Sequence, residues 1–257
     1  MKKLILISAL LLVASNGWAY SETDLIKLKA INACEGCDLS VANLTGENLG
    51  GANLNDANLS GADLRKANIR RANLSGVDLS KANLSGVDLR QANLTGANLT
   101  GADLRKANIR RAHLNDADLR DAILYKTNFR RANLSGADLT GVDLTGTNLT
   151  DTHLRKTNFR RANLSFADLS GADLGGANLD EADLRGVNLS FADLRGVNLS
   201  FADLRGVNLS FADLRGVNLT SANLTGVDFT GVNLCYANLT TTILKNAKLV
   251  GAKFCKT

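Results

Sequence analysis

Four cysteines are the side chains in this sequence best suited to forming covalent or metal bonds. Cys34 and Cys37 form a Cys-x-x-Cys motif, whereas Cys235 and Cys255 lie 20 residues apart. A Cys-x-x-Cys pair can form a disulfide, exchange disulfides within a βαβ unit, or supply half of a four-ligand zinc site. The sequence has no second Cys-x-x-Cys motif and no βαβ pattern. A disulfide between Cys34 and Cys37 is therefore favoured over the zinc and redox alternatives.

Basic residues occur in four related blocks, at 65–71, 105–111, 125–131 and 155–161. Guanidinium and ammonium groups bind phosphates and carboxylates, so clusters of them can form an anion-binding surface. The alternative is that they keep the protein soluble and pair with neighbouring Asp residues, and that duplication alone produced the pattern. The candidate anion-binding residues are Arg65, Lys66, Arg70, Arg71, Arg90, Arg105, Lys106, Arg110, Arg111, Lys126, Arg130 and Arg131.

Aromatic residues form a second candidate surface. Near-identical copies of Phe-Ala-Asp-Leu-Arg-Gly-Val-Asn-Leu begin at Phe191, Phe201 and Phe211. Exposed apolar rings beside arginines are typical of protein contact surfaces. The alternative is a phenylalanine copied by duplication and tolerated at an outward position. The candidate partner patch consists of Phe191, Phe211, Arg185 and Arg205.

The sequence offers little for catalysis. Ser, Thr and Asp are abundant, but a nucleophile needs a base held against it in a pocket. Long loops usually build such pockets, and this chain is an uninterrupted repeat without a single proline. We therefore predict no enzymatic activity, no cofactor and no metal site.

A repeat of five residues positions all of these side chains. From Leu39 to Phe254 every fifth residue is large and apolar, which gives 44 positions, and the residue two before each is usually small. The residue immediately before is Asn or Asp at 38 of them. A helix repeats near 3.6 residues and a strand at 2, so neither keeps one face inward at this period. A short extended segment followed by a turn would instead wind the chain into a solenoid around stacked Leu side chains.

The units at 52–56 (ANLND) and 72–76 (ANLSG) resemble the A(D/N)LXX unit of the pentapeptide repeat family, and the resemblance covers residues 37–256. It implies an all-β fold, a right-handed quadrilateral β-helix solenoid with four pentapeptides in each 20-residue coil. The 44 repeats then form about 11 coils. The segment at 61–72 recurs unchanged at 101–112, which agrees with a multiple of 20.

Coils of 20 residues place the cysteines and histidines relative to one another. Cys235 and Cys255 would stack with Cα atoms about 4.8 Å apart, within the range for a disulfide. A disulfide there is our prediction, and two free thiols are the alternative. His113 and His153 would lie two coils apart, roughly 9.6 Å, which is too far to share one metal ion without other ligands.

The same coils place the two candidate surfaces. The first three basic blocks, with Arg90, would align along two adjacent faces, and the fourth block would lie on the opposite side. Phe191 and Phe211 would stack on one face, with Arg185 and Arg205 on a neighbouring face. Both surfaces should therefore point outward from the rod.

The sequence divides into three segments. Residues 1–19 are typical of a secretory signal peptide, because two lysines precede an apolar run that ends in small residues. The run is too short for a transmembrane span, and no second apolar segment follows it. Residues 20–36 are expected to form a helical N-terminal cap, and residues 37–257 the repeat solenoid.

The cap is predicted from a short amphipathic pattern between Ser21 and Ala33. Ser21 and Asp24 suggest a capping box, and Leu25, Leu28 and Ile31 share one helix face. Removing the signal peptide leaves 28 basic and 25 acidic residues, which is only weakly basic.

Together these features predict a non-enzymatic, exported bacterial scaffold or binding protein, periplasmic or secreted. Its expected partner is a protein or an anionic envelope component; nucleic acid is not expected, and a homodimer is an open alternative. The alternative function, which the resemblance suggests, is DNA mimicry that inhibits type II topoisomerases, as some family members do. Those mimics are acidic and cytoplasmic, whereas this chain has a basic stripe and an export signal.

Overall fold

The computed structural model describes residues 20–255, as one helix followed by a stack of four-sided coils. The predicted signal peptide at 1–19 lies outside the described residues. Within them, no helix is both long and apolar enough to cross a membrane.

Helix α1 spans Glu22–Ile31. The hydroxyl of Ser21 accepts a hydrogen bond from the Asp24 backbone N–H at 3.2 Å, as an N-cap residue does. The second half of the predicted capping box does not form. The Asp24 carboxylate accepts from the Asp38 backbone N–H at 3.0 Å instead, so it ties the helix to the first coil.

The helix ends two residues before the predicted limit at Ala33. Asn32 adopts left-handed backbone angles, with φ 53° and ψ 32°, which terminate the helix. Leu28 is buried, but Ile31 is 64% exposed. Of the three residues predicted to share one helix face, Leu28 is therefore buried and Leu25 packs against the core in part, whereas Ile31 is largely exposed.

Each repeat contributes one bridged residue rather than a strand of several residues. The bridged residue is the one before each core residue, and it pairs in parallel with the residue 20 positions later, as Asn53 does with Asn73. Leu54 N–H, for example, donates to Asn73 C=O at 2.8 Å. The first bridge joins Ala33 to Asn53, so the ladder begins before the predicted boundary at residue 37.

A tight turn forms a corner after every bridged segment. Ala57 N–H donates to Leu54 C=O at 3.2 Å, and the third residue of this turn, Asp56, has φ 54°. The equivalent residue has positive φ at every corner, and it is Gly at 20 corners and a residue with a side chain at 24. Left-handed backbone costs an L-residue about 1–2 kcal/mol, so the side chains at the corners are held there against an intrinsic preference.

The core is a continuous column of small and large apolar side chains. The Leu residues and the Ala or Val residues two before them are almost all buried, as are Phe129, Phe159 and Phe229. Each buried Leu or Phe stabilises the fold by about 1.5–3 kcal/mol. Where Thr replaces Ala, its hydroxyl is buried but satisfied: Thr147 Oγ1 donates to Leu144 C=O at 2.7 Å.

The outward Asn and Asp residues have a structural role that the sequence pattern alone does not show. Asn73 Oδ1 accepts from the Ser75 backbone N–H at 3.3 Å, which braces the corner. Its Nδ2 group donates to Asn53 Oδ1 in the previous coil at 3.2 Å. Such bonds recur along the rod and hold corners and coils together at the same time.

The two ends of the solenoid differ. At the N-terminal end α1 lies on the first coil, where Ser21 N–H donates to Asp38 C=O at 3.0 Å. At the other end the last core residues are less covered, since Leu249 and Phe254 remain 40% and 45% exposed.

Candidate functional site

All twelve candidate anion-binding residues lie at corners, on two adjacent corners of the rod. We call the first the lysine corner: Arg65, Lys66, Arg105, Lys106 and Lys126. We call the second the basic corner: Arg70, Arg71, Arg90, Arg110, Arg111, Arg130 and Arg131. The bridges Asn68–Asp88, Asp88–Asn108 and Asn108–Asn128 place the basic corner on four consecutive coils. At about 4.8 Å per coil it extends roughly 14 Å along the axis.

Few carboxylates neutralise these two corners. Asp63 pairs with Arg65 at 2.6 Å, and Asp103 pairs with Arg105 on the lysine corner. On the basic corner Asp88 pairs with Arg90 and lies 3.9 Å from Arg70, and Asp151 contacts Arg130 and Arg131 at 3.9 and 3.3 Å. These four carboxylates face the twelve cations, so the surface keeps a large positive excess.

Six cations have no carboxylate within 4.0 Å anywhere in residues 20–255. They are Lys66, Arg71, Lys106, Arg110, Arg111 and Lys126. Arg71 Nε donates to the neutral side chain of Gln91 at 3.1 Å, and Lys126 lies 5.0 Å from the centre of the Tyr125 ring. An anion approaching this surface would meet cations that are not already bound to acids.

On these two corners, the residue two positions before the first arginine of a coil decides whether that guanidinium is paired within its own repeat. Asp63 accepts from Arg65 Nε at 2.9 Å, because its carboxylate reaches back across the corner. Asn128 stands at the equivalent place before Arg130, and its Oδ1 accepts only from the Arg130 backbone N–H, at 3.0 Å. The basic corner has Asn at three of its four coils, and this leaves its arginines largely available.

A shallow depression of about 170 Å³ lies within the basic corner. Its lining consists of four arginines and one amide: Arg70, Arg90, Gln91, Arg110 and Arg111. Hydrogen-bonding to Arg90 holds the pKa of Asp88 below its usual range despite partial burial, so the one nearby carboxylate stays charged. The depression therefore presents converging donors to an oxyanion, with Asp88 as the one competing acceptor.

The fourth basic block has a different environment, as well as the predicted opposite position. Arg160 contacts Asp180 and Glu181 at 3.3 and 3.0 Å, and Arg161 Nε lies 2.7 Å from Glu181. Arg155 lies 3.4 Å from Asp173. This block is neutralised across coils and does not extend the basic surface.

The aromatic patch is exposed at the corners, as the sequence indicates. The rings of Phe191 and Phe211 stack with centroids 5.0 Å apart and planes inclined by 13°. Arg185 and Arg205 lie on the adjacent corner, and each donates to the Asp two residues before it at 2.6 Å. These two arginines are therefore committed to internal ion pairs rather than presented with the rings.

Both predicted disulfides are formed, Cys34–Cys37 and Cys235–Cys255. The second joins the last two coils, with Cα atoms 4.4 Å apart. Asp24 with Cys34 and Cys37 is the one group of potential metal ligands within residues 20–255, and both of its thiols are oxidised.

The two histidines lie at exposed bridge positions. His113 and His153 each bridge to Asn133, so they are two coils apart. Each replaces the usual Asn or Asp of its repeat.

Three residues of the basic surface were not identified from the sequence: Asp88, Gln91 and Asp151. The sequence does contain a signal for the role of Asp88. In an Asp-Leu-Arg triplet the carboxylate pairs with the guanidinium, whereas the Asn of an Asn-Ile-Arg or Asn-Phe-Arg triplet does not. Asp151 is 20 residues from Arg131, which is a contact that the coil length alone would have predicted.

The family model for pentapeptide repeats matches 8 copies, at residues 34–71, 72–111, 112–151, 143–180, 182–220 and 222–257. No protein of curated function matches the chain.

Among solved structures, the chain is similar to HetL, a pentapeptide repeat protein involved in heterocyst differentiation regulation from the cyanobacterium Nostoc. The match has 34% identity, covers 90% of this chain and 95% of HetL, and has a TM-score of 0.47. A pentapeptide repeat protein from the Arabidopsis thaliana thylakoid lumen is 40% identical over 37% of this chain and 70% of its own, with a TM-score of 0.32. Full-length QnrB1, a plasmid-mediated fluoroquinolone resistance protein, is 18% identical over 83% and 92%, with a TM-score of 0.31.

Proposed function

The chain belongs to the pentapeptide repeat family, and from that premise we propose that it is an exported, non-enzymatic scaffold whose basic corner binds an anionic component of the cell envelope. Proteins of this family fold as right-handed quadrilateral β-helices and are generally structural or binding proteins. The fold class predicted from the repeat is therefore confirmed. The partner, the export and the details of the rod are our proposals.

The observation that carries the proposal is the depression lined by four arginines and Gln91. Two of those arginines, Arg110 and Arg111, have no carboxylate within 4.0 Å among residues 20–255, and the remaining two share Asp88. Like charges held close together are stabilised when an anion enters between them, and guanidinium groups bind oxyanions through paired hydrogen bonds. The rigid backbone of the corner adds to this, because little backbone freedom is lost when the anion binds.

Export is supported by the segment at 1–19 and by the chemistry of the cysteines. All four cysteines are paired, and disulfides persist in oxidising compartments such as the periplasm. An outer-envelope location would also bring the basic corner close to phosphate- and carboxylate-rich polymers. DNA mimicry is less consistent with this surface, because its carboxylates are tied to arginines and its free charges are positive.

We further propose a rod of about eleven coils in which α1 covers the N-terminal end. The bridges run from Ala33 to Lys253 with a spacing of 20 residues, which accommodates that number. The bonds from Asp38 to Ser21 and Asp24 support α1 as the cap, since they occupy backbone groups of the first coil.

The test measures binding of the mature protein to duplex DNA, lipopolysaccharide, peptidoglycan and phosphatidylglycerol vesicles at low and moderate salt. The test variant carries Arg70→Gln, Arg110→Gln and Arg130→Gln. The matched control carries Arg185→Gln, Arg195→Gln and Arg205→Gln, which remove the same charge from arginines that are internally paired.

We expect salt-sensitive binding to an envelope component that is lost in the test variant and kept in the control, because salt screens exposed charges. Equal losses in both variants would mean that net charge alone attracts the anion, and would contradict a site at the basic corner. Binding to duplex DNA alone, or to nothing in the panel, would overturn the envelope assignment.

A further inference from the structure

The ladder of hydrogen bonds between coils is interrupted beside the aromatic patch. One coil earlier, Leu189 N–H donates to Asn208 C=O at 2.8 Å and Phe191 N–H donates to Ser210 C=O at 2.9 Å. Within residues 20–255, the equivalent N–H groups of Leu209 and Phe211 donate to no backbone acceptor and Asn208 has no bridge to the next coil, whereas the bridge from Asp213 to Asn233 is kept. The two coils separate here and leave a cavity of about 480 Å³, a size typical of ligand pockets.

The ring of Phe211 forms one wall of this cavity. One face of the ring stacks on Phe191, in the preceding coil. The next residue along the same corner is Gly231, where a Cβ atom would meet nothing within 4 Å. Phe211 as a whole is 81% exposed, and the second face of its ring is open toward the cavity.

Phe166 shows what a closed arrangement looks like. It occupies the same turn position on the adjacent corner, and the next residue along that corner is Gly186. A Cβ atom at Gly186 would lie only 2.8 Å from the Phe166 ring, so the ring already covers that glycine. Space for another ring is present over Gly231 and absent over Gly186.

The remaining walls of the cavity are polar and electrically balanced. Asp213 is paired with Arg215 at 2.6 Å, so the pair presents no net charge. Among residues 20–255, Asn233 Nδ2 has no protein acceptor, whereas Asn218 Nδ2 donates to Asn198 Oδ1 at 2.9 Å in the regular ladder. Thr230 completes a lining that offers both hydrogen-bond donors and acceptors beside an aromatic face.

We propose that this cavity binds a neutral sugar ring of a glycan, with the apolar C–H face of the pyranose on Phe211 and its hydroxyls toward Asp213, Thr230 and Asn233. A hydroxyl both donates and accepts, which matches this mixed lining. An aromatic side chain of a partner protein would also stack on Phe211, but it would bury the free N–H and amide groups without partners. Each such group costs about 1–3 kcal/mol. An anionic ligand is not favoured, because Arg215 is already paired with Asp213 and the lining has no unpaired cation.

A second interruption in the ladder gives a useful contrast. Within residues 20–255, the Leu124 and Lys126 N–H groups also donate to no backbone acceptor, and the nearby cavity is lined by Ile123, Tyr125 and Asp143. That cavity has about 160 Å³, only a third of the volume beside Phe211. The proposal therefore concerns the larger cavity, and it does not depend on anion binding at the basic corner.

The test is saturation-transfer difference NMR and calorimetry of the mature protein with neutral oligosaccharides: N-acetylglucosamine tetramer, cellotetraose and maltotetraose. Phe211→Ser removes the stacking face. Gly231→Asn fills the open side, and Asn tolerates the positive φ of 72° at that position. Phe201→Ser is the matched control, because Phe201 is also exposed at a corner but does not line the cavity.

We expect one of these oligosaccharides to bind, with saturation transferred mainly to one sugar ring. Affinity should fall at least tenfold in Phe211→Ser and Gly231→Asn and stay unchanged in Phe201→Ser, with circular dichroism confirming the fold of all three. Binding should also survive in the Arg70, Arg110 and Arg130 variant, which separates this proposal from the anion-binding function. No binding to any of the three sugars, or binding that persists in both cavity variants, would overturn the proposal.

Discussion

Two regions of the same rod use arginine in opposite ways. In the region from 183 to 215, Arg185, Arg195, Arg205 and Arg215 each bond to the Asp two residues earlier, at distances of 2.5–2.6 Å. On the basic corner, three of the four coils have Asn at that place. Both regions have the same repeat backbone and the same arginine position within the repeat, although the arginines of the 183–215 region lie on the two corners adjacent to the one that the basic corner occupies.

The comparison shows that one side-chain atom decides whether an arginine of this fold is paired within its own repeat. A carboxylate at the bridged position takes the guanidinium, whereas an amide accepts only the backbone N–H. The guanidinium then depends on the next coil, where Arg160 meets Asp180 and Glu181 but Arg110 meets no carboxylate within 4.0 Å among residues 20–255. Exposed pairs of this kind contribute little to stability, about 0–1 kcal/mol each, so the choice between Asp and Asn costs the fold little. Availability for an external anion is the larger difference between the regions.

The largest effect is expected when Asn residues of the basic corner are replaced by the Asp that the 183–215 region has at the same place in the repeat. Asn68→Asp, Asn108→Asp and Asn128→Asp together should engage Arg70, Arg110 and Arg130 internally. At about 1 kcal/mol for each arginine withdrawn from an anionic surface, affinity for anionic vesicles should fall about a hundredfold. Vesicle co-sedimentation at several salt concentrations measures this change. An affinity within threefold of that of the native protein would contradict the claim that Asp at this place withdraws the arginine from anion binding.

The reverse exchange should have a smaller effect. Asp183→Asn and Asp203→Asn release Arg185 and Arg205, so the triple variant that has lost anion binding should recover roughly thirtyfold in affinity when they are added. The same vesicle assay measures the recovery. If affinity does not rise while circular dichroism shows a folded rod, the free guanidinium is insufficient, and the position of the basic corner matters as well.

The internal pairs should also make the 183–215 region sensitive to acid. Hydrogen bonds from Arg185 and Arg205 lower the pKa of Asp183 and Asp203, more than partial burial raises it. Their folded pKa values lie below the unfolded value of about 3.9, so their stabilisation is present above that pH and is lost as pH falls through the folded values. Thermal unfolding between pH 7 and pH 2.5 should show a smaller decrease for the Asp183→Asn, Asp203→Asn variant. An identical decrease in the variant and in the native protein would contradict the assignment of acid sensitivity to these two Asp–Arg pairs.

The smallest effect concerns the corners themselves. Phe201 and Arg111 have φ values of 58° and 59°, and Asn adopts this conformation more readily than either. Phe201→Asn and Arg111→Asn should each stabilise the rod by less than about 1 kcal/mol, to a similar extent, in denaturant unfolding. A much larger gain for Arg111→Asn would show that repulsion between the free cations of the basic corner adds to the backbone strain.

Much of the architecture could be predicted from the sequence, because it follows from a single period. The five-residue repeat indicates a solenoid, and its 20-residue coil places Cys235 beside Cys255 and Phe191 beside Phe211. These contacts depend on the coil length and little else. The end of α1 at Asn32 and the exposure of Ile31 depend on how a non-repeating helix sits on the first coil, and the repeat carries no information about that.

The candidate sites were predicted less completely for a similar reason. Position along the coil locates every cation, but it does not say whether Asp88 or Asn108 lies beside it, and that difference determines whether the guanidinium is free. The cavity beside Phe211 is also not evident from the repeat, since the coil at 201–220 is nearly identical in sequence to the coil at 181–200, where the ladder is unbroken. Separation of two coils is a property of how they stack rather than of the repeat itself.

The most direct test of the central claim is NMR of the arginine Nε–Hε groups during titration with inorganic pyrophosphate. We predict saturable shifts for Arg110 and Arg111, which line the depression, and none for Arg185 and Arg205, which are held by Asp183 and Asp203. Shifts of equal size in both pairs, or no shifts at Arg110 and Arg111, would contradict the claim that Asn in place of Asp makes the basic corner a binding site.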